Sequence, residues 1–352
     1  MRRRAAIIGI GAGVILAAMG WLSRTPPTPA PSRDEAATVA AAPGGGSAAA
    51  TTTSPSASEQ LMRLGDEGIP ELSDSEIEAF VESRQRDATS LIAALYLSGD
   101  PAWLDEAAER FPDRPEVALA VLMRGEAAET QGLWIERLKR NDPENAVGHL
   151  FAARQAFADG DSTAALSELA SLADKPRTQF YMTSVRQAMT DAYRQAGHGD
   201  LTAEWSGMAR SPVPASELRS LGKSLATAME TAHAAGDPAM TQQFGQIGLE
   251  VARRVVQDEP GDFLITRLIG LSLQRQVLHQ LDVFELVPGD RQIVADRLIE
   301  MDRDLATLRD LTTRHAEAVA RLSDTEAVEF TRRLKQQGEF RALRWLAEKD
   351  RS

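Results

Sequence analysis

Beyond residue 58, apolar positions recur at three- and four-residue intervals, and the alternation of a half-buried strand is hard to find. Ala, Leu, Glu, Arg and Gln dominate the same stretch, and most of them favour helix. The pattern therefore predicts an all-α body. Ser73-Asp74-Ser75-Glu76 reads as an N-cap followed by acids, opening a helix through Ile77, Phe80 and Val81. Ser323-Asp324-Thr325-Glu326 reads as a second capping box. Pro101 and Pro143 each follow an Asp, which places them in a first helical turn, where the missing N–H is tolerated. Pro112, Pro176, Pro212 and Pro260 punctuate the rest.

The punctuation repeats. Gly99, Gly132, Gly160, Gly199 and Gly236 each follow one apolar-periodic stretch and precede another, at separations of 33, 28, 39 and 37. Gly99, Gly160, Gly199 and Gly236 are each followed by Asp. The mean spacing lies near the ~34-residue period of helix–turn–helix repeats. Within this frame, Asp142 to Pro176 (DPENAVGHLFAARQAFADGDSTAALSELASLADKP) resembles a tetratricopeptide repeat. Asp142-Pro143 resembles the family's inter-repeat boundary, and Gly160-Asp161 its turn. Ala153 and Ala165 fall at its small packing positions, one in each helix. The alignment turns Glu168 outward. Leu169 and Ala156 stand where the family usually has aromatics. Neighbouring stretches such as Ile92 to Phe111 match in turn and apolar spacing only, and the resemblance spans Leu91 to about Val256. It implies a solenoid of helical hairpins over residues 58–258, with a concave surface for a protein or peptide. An irregular α-solenoid outside the family is the alternative. Some members clamp a partner's terminal carboxylate with Asn and Lys. Here the only asparagines are Asn141 and Asn145, in one inter-repeat turn, so that clamp is not expected.

Residues 259–352 differ. Val294, Leu298, Met301, Leu305, Leu308, Thr312, His315, Val319 and Leu322 alternate by four and three, the mark of a heptad seam with two polar interruptions. One long helix from about Arg291 to Arg321 is predicted, followed by apolar faces through Phe330, Leu334, Phe340, Leu343, Trp345 and Leu346. The reading adopted is a C-terminal bundle that caps the solenoid, because an uncapped array exposes an apolar end. The alternative is a homodimer through the seam.

The amino terminus carries a third pattern. MRRR precedes an uncharged apolar run of 18 residues, Ala5 to Leu22. As a helix it spans about 27 Å at ~1.5 Å per residue, close to a hydrocarbon core of about 30 Å. Trp21 suits the lipid–water interface, and Arg2, Arg3 and Arg4 keep the start cytoplasmic. Residues 1–22 are thus expected to be a signal-anchor helix that exports the rest. The alternative is a signal peptide cleaved near Ala18-Met19-Gly20. Gly9 and Gly13, extended by Ala5 and Ala17, form a small-residue stripe through which two membrane helices can approach. GIGAG lacks the third glycine, strand and acid of a dinucleotide loop. Residues 23–57 are almost wholly Ala, Pro, Gly, Ser and Thr and are expected to form a disordered linker.

Composition narrows the chemistry. There is no cysteine, so disulfides, thiolate metal sites and thiol nucleophiles are excluded. A net charge of −12 disfavours nucleic acid and anionic lipid. His149, His198, His233, His279 and His315 show no i,i+4 pairing or HExxH spacing, and there is no GxSxG or GxxxxGK[ST] motif. Trp103, Trp134 and Trp205 are expected in the core rather than on a ligand platform. The sequence predicts no catalytic, metal or cofactor residues. It points to a membrane-anchored extracytoplasmic scaffold for protein–protein interaction, with an unknown partner and a periplasmic location in a bacterium. The alternatives are an exported enzyme or small-ligand protein with a site between solenoid and C-terminal helices, or a structural envelope component.

Overall fold

A computed structural model describes residues 56, 60, 64, 68–125, 128–210, 214–257, 264–319 and 321–349. Among them the regular structure is helical, and β pairing is confined to two isolated bridges, Asn145 with Arg177 and Leu286 with Ile293. The helices are α1 (Asp74–Ser83), α2 (Ala88–Ser98), α3 (Ala102–Arg110), α4 (Pro115–Arg124) and α5 (Ala128–Asn141). Next come α6 (Val147–Ala158), α7 (Ser162–Ala173), α8 (Met182–Gln195), α9 (Asp200–Ala209) and α10 (Ala215–Ala234). The last five are α11 (Pro238–Gln257), α12 (Leu264–Leu278), α13 (Val294–Val319), α14 (Asp324–Gln337) and α15 (Glu339–Lys349). The span 1–22, with Gly9, Gly13 and Ala17, lies outside the described residues. So do nearly all of 23–57. No described helix is long and apolar enough to cross a membrane.

Both capping boxes form. Glu76 reaches back to the Ser73 N–H at 2.8 Å, and Glu326 to the Ser323 N–H at 2.8 Å. The glycine punctuation holds at Gly99, Gly160 and Gly236, where the turns need φ of 76°, 78° and 71°. It fails at Gly132, which lies inside α5; the left-handed stop before that helix is Gly125, the C-cap of α4. It also shifts at Gly199, which caps α9 at φ −65°, while Gly197 supplies the left-handed step at 89°. Pro143 sits in the turn before α6, not in its first turn.

Consecutive helices pack on one another from α1 to α7, with α6 and α7 as the most extensive pair. Ala153 on α6 and Ala165 on α7 are both fully buried, as the small packing positions require. Leucine at Ala165 is expected to cost about 1–3 kcal/mol by overpacking. Leucine at the exposed Ala170 of the same helix should stay within about 0.5 kcal/mol. Denaturant unfolding of the two variants checks this. Glu168 does not point freely outward. Its carboxylate binds Lys139 Nζ at 3.0 Å and His149 Nδ1 at 2.7 Å, tying α5, α6 and α7 together.

After α7 the neighbour-on-neighbour order changes. The α8 helix lies on α2 and α1, the α10–α11 hairpin docks on the α6–α7 hairpin, and α12 closes against α10 and α11. Two crossings are tight for a local reason. A Cβ at Gly207 of α9 would sit 2.3 Å from Thr190 Oγ1 and 3.0 Å from the Arg186 carbonyl of α8. One at Gly270 of α12 would sit 2.3 Å from Val256 Cγ2 and 3.0 Å from the Ala252 carbonyl of α11. Side chains there would hold the paired backbones apart.

The apolar residues divide into one large core running from Ile77 to Val277, a second one at the C-terminal side and a small third one of Leu278, Val287, Val294 and Met301. The second joins Leu64, Leu201 and Trp205 to Phe330, Leu334, Leu343 and Leu346. The α13 helix packs on α12 and α15, and α14 packs on α9. Val294, Met301 and Leu308 of the seam are buried within this one chain, and Leu305 is half-buried against the second core. The side chains of Thr312 and His315 lie outside the described set. Trp134 and Trp205 are buried, and Trp103 is half-buried with the Arg86 guanidinium 5.4 Å from its ring centre.

Candidate functional site

Between α12 and α13 the chain does not run straight from helix to helix. It makes a short hairpin over residues 282–295. Val287 N–H donates to the Gln292 carbonyl at 2.9 Å, Val294 to Glu285 at 2.9 Å and Ala295 to Val283 at 3.0 Å. Leu286 and Ile293 face each other as an antiparallel bridge, and Gly289 makes the turn at φ 80°. Alternation then sorts the side chains. Val287 points down into a small core with Leu278, Val294 and Met301. Leu286, its neighbour in the bridge, points the other way and is 59% exposed, and in the turn before it Phe284 is 83% and Val283 43% exposed. Ile299, one helical turn beyond Ala295 on α13, is 50% exposed. Burying a side chain of this size is worth roughly 1.5–3 kcal/mol, so several exposed together mark a surface made for covering.

The hairpin also walls a cavity of about 600 Å³, bounded by the end of α7, by α11 and by α12. Ile247, Leu249 and Pro288 give it apolar walls, while Glu250, Arg253 and Arg297 give it charge. Those charges answer one another. Arg253 and Arg254 hold the Glu250 carboxyl below its usual range, at 2.5 and 2.7 Å. Arg297 donates to Glu300 and Gln274, each at 3.0 Å. Arg254 also donates to the carbonyls of Ala173 and Lys175 and so closes the end of α7. The cavity thus offers shape and apolar contact, and Asp290 of the hairpin adds an acid to its lining.

Three polar clusters elsewhere are structural in their geometry. Asp142 accepts from Arg177, Tyr181 Oη and Asn145 Nδ2, and Asn145 also donates to the Gln179 carbonyl at 2.9 Å. Asn145 Oδ1 accepts from the Val147 and Gln179 N–H groups. The 142–146 turn is thereby stapled to the 177–181 turn, which explains why Asn145 is 1% exposed and unable to clamp a partner. Burial first, and Asp142 second, push the Tyr181 hydroxyl far above the usual phenol range, so it stays a donor. Between the repeats and the C-terminal helices, Glu204 is 3% exposed and bound by Arg194 at 2.5 Å, with Lys335 at 3.6 Å. Asp200 pairs with the same two cations, Arg194 before Lys335, and is held below its usual range. These groups neutralise one another across α8, α9 and α14.

A second cavity of about 600 Å³ is lined by Gln60, Ile69, Glu71, His198 and Thr202. His198 lies edge-on to Tyr193 at 5.5 Å, and Gln60 Oε1 accepts from the Thr202 N–H at 3.3 Å. His149 is taken by Glu168, and His279 Nε2 accepts from Arg275 at 3.3 Å. Among the described residues no three His, Asp or Glu side chains are grouped so as to hold a metal ion.

The exposed hairpin is the feature that sequence reading missed. Its signal was present as Val283-Phe284-Glu285-Leu286-Val287 before Pro288-Gly289, a short strand-like run ahead of a turn pair. No family model, curated protein or solved structure matches the chain.

Proposed function

We propose that this protein is a membrane-tethered, extracytoplasmic scaffold of degenerate tetratricopeptide-like repeats that binds a protein partner and catalyses no reaction. The observation that carries the reading is the exposed apolar surface of Val283, Phe284 and Leu286 beside an open cavity. Support for the repeat class comes from the buried pair Ala153 and Ala165 on two closely packed helices, with Gly160 in the turn between them. Support for export comes from MRRR and the apolar run that follows it.

The test is a photo-crosslinking side chain placed at position 284 of the full-length protein in its own host. Val328 on α14, 61% exposed, is the comparison site. Discrete protein adducts are expected from 284 and not from 328. Periplasm-dependent reporters fused after Ala57 should be active in the same cells. Identical crosslinking from both positions, or none from either, would count against the scaffold.

A further inference from the structure

Charge on the hairpin points to the chemistry of its partner. Asp282, Glu285 and Asp290 are all exposed and lie in the same hairpin as Val283, Phe284 and Leu286, with Arg291 as the hairpin's one cation. Among the described residues, no Lys, Arg or His lies within ion-pair distance of these three carboxylates. Asp282 and Asp290 spend one oxygen each on backbone N–H groups, of Phe284 at 2.9 Å and of Arg291 at 2.6 Å. The next turns of α13 add Asp296 and Glu300 against Arg297. Elsewhere on the surface Glu106, Glu250 and Glu329 are each held by arginines.

Three occupants could cover such a surface, and charge separates them. A second copy of the chain would set these unpaired carboxylates against themselves. An anionic lipid surface would be repelled for the same reason. A partner whose apolar side chains are flanked by cations would satisfy both halves of the patch at once. Resting on the scaffold reading, we propose that the 282–290 hairpin docks a basic amphipathic segment of a partner protein. Phe284 and Leu286 meet the segment's apolar face, and Asp282, Glu285 and Asp290 meet its Lys or Arg side chains.

The experiment uses the full-length protein in phosphatidylcholine nanodiscs. The probes are two synthetic helical peptides with the same leucine pattern, one carrying lysines and the other glutamates at the polar positions. The lysine peptide is expected to bind and the glutamate peptide not. Phe284→Ser should weaken binding about thirtyfold, the scale of losing an aromatic anchor. Asp282→Asn, Glu285→Gln and Asp290→Asn together should weaken it on the order of tenfold, as should about 0.5 M salt, where charge interactions reach only a few ångströms. Val328→Ser should leave it unchanged.

Equal binding of both peptides, or binding indifferent to Phe284→Ser, would overturn the proposal. So would capture of phosphatidylglycerol vesicles through Phe284, which would make this surface a lipid contact. A dimer that dissociates on Phe284→Ser would assign this surface to a second copy. Failure here is distinct from failure of the scaffold. Adducts from position 284 in cells, together with indifference to peptide charge, would keep a protein partner and remove its basic character.

Discussion

Removing residues 290–352 is expected to yield aggregated or unfolded protein rather than a soluble folded remainder. The deletion takes away α13, α14 and α15, which supply Leu308, Phe330, Leu334, Leu343 and Leu346 to the second core. Left behind, Leu201 and Trp205 of α9 and Leu264 and Leu268 of α12 would face water together with Leu64. Glu204, almost fully buried, would lose Lys335, and the Leu264 N–H would lose the Glu339 carboxylate that accepts from it at 2.9 Å. Apolar exposure on this scale drives association. A milder version is Phe330→Ala, which opens a cavity at a fully buried position and should cost about 3–5 kcal/mol. Light scattering and circular dichroism read both. A truncated chain that stays monomeric and helical would show that the C-terminal helices do not cap the array.

The second large effect is expected at Asp142. Its carboxylate receives a guanidinium, a phenol and an amide, all from residues that shape the α5–α6 and α7–α8 turns. Asp142→Ala leaves Arg177 without its inner partner and Tyr181 Oη with only the Asn145 amide. Losing one member of a buried charged network typically costs about 3–5 kcal/mol, because the remaining groups stay desolvated. Tyr181 adds to the consequence, since its backbone is held in the left-handed region at φ 56°. Replacing the exposed Asp174 with Ala should change stability by less than about 0.5 kcal/mol. Similar midpoints for the two variants in urea would show that the bracket contributes little.

Local signals were readable and distant ones were not. The all-α content, both capping boxes, the turn at Gly160 and the burial of Ala153 and Ala165 all follow from residues within about one repeat of each other. Gly132 misled because Gly125, seven positions earlier, carries the left-handed turn, and spacing alone does not distinguish a glycine inside a helix from one that ends it. Glu168 misled because its cationic partners sit on two other helices. The return of α8 onto α1 and α2 left no periodic trace, since it joins residues 107 and 112 positions apart, Arg84 with Asp191 and Ser83 with Gln195. The hairpin was hidden for a related reason: Val283-Phe284-Glu285-Leu286-Val287 is short and does not alternate strictly, and which side of it meets water depends on Met301 and Leu278 beneath.

The place where the chain's early residues enter the fold has a mechanical consequence. Leu64 is buried in the second core beside α9, and Gln60 accepts from the Thr202 N–H. Those contacts precede α1 in sequence yet lie with α9 and α14, far along the chain. A pull applied through the amino-terminal segment would therefore not peel α1 away and unzip the helices in order. It would first load the contacts that Gln60 makes with Thr202 of α9 and Leu64 makes with the second core. Traction on that segment is thus met by a contact 142 residues apart in sequence before it reaches α1.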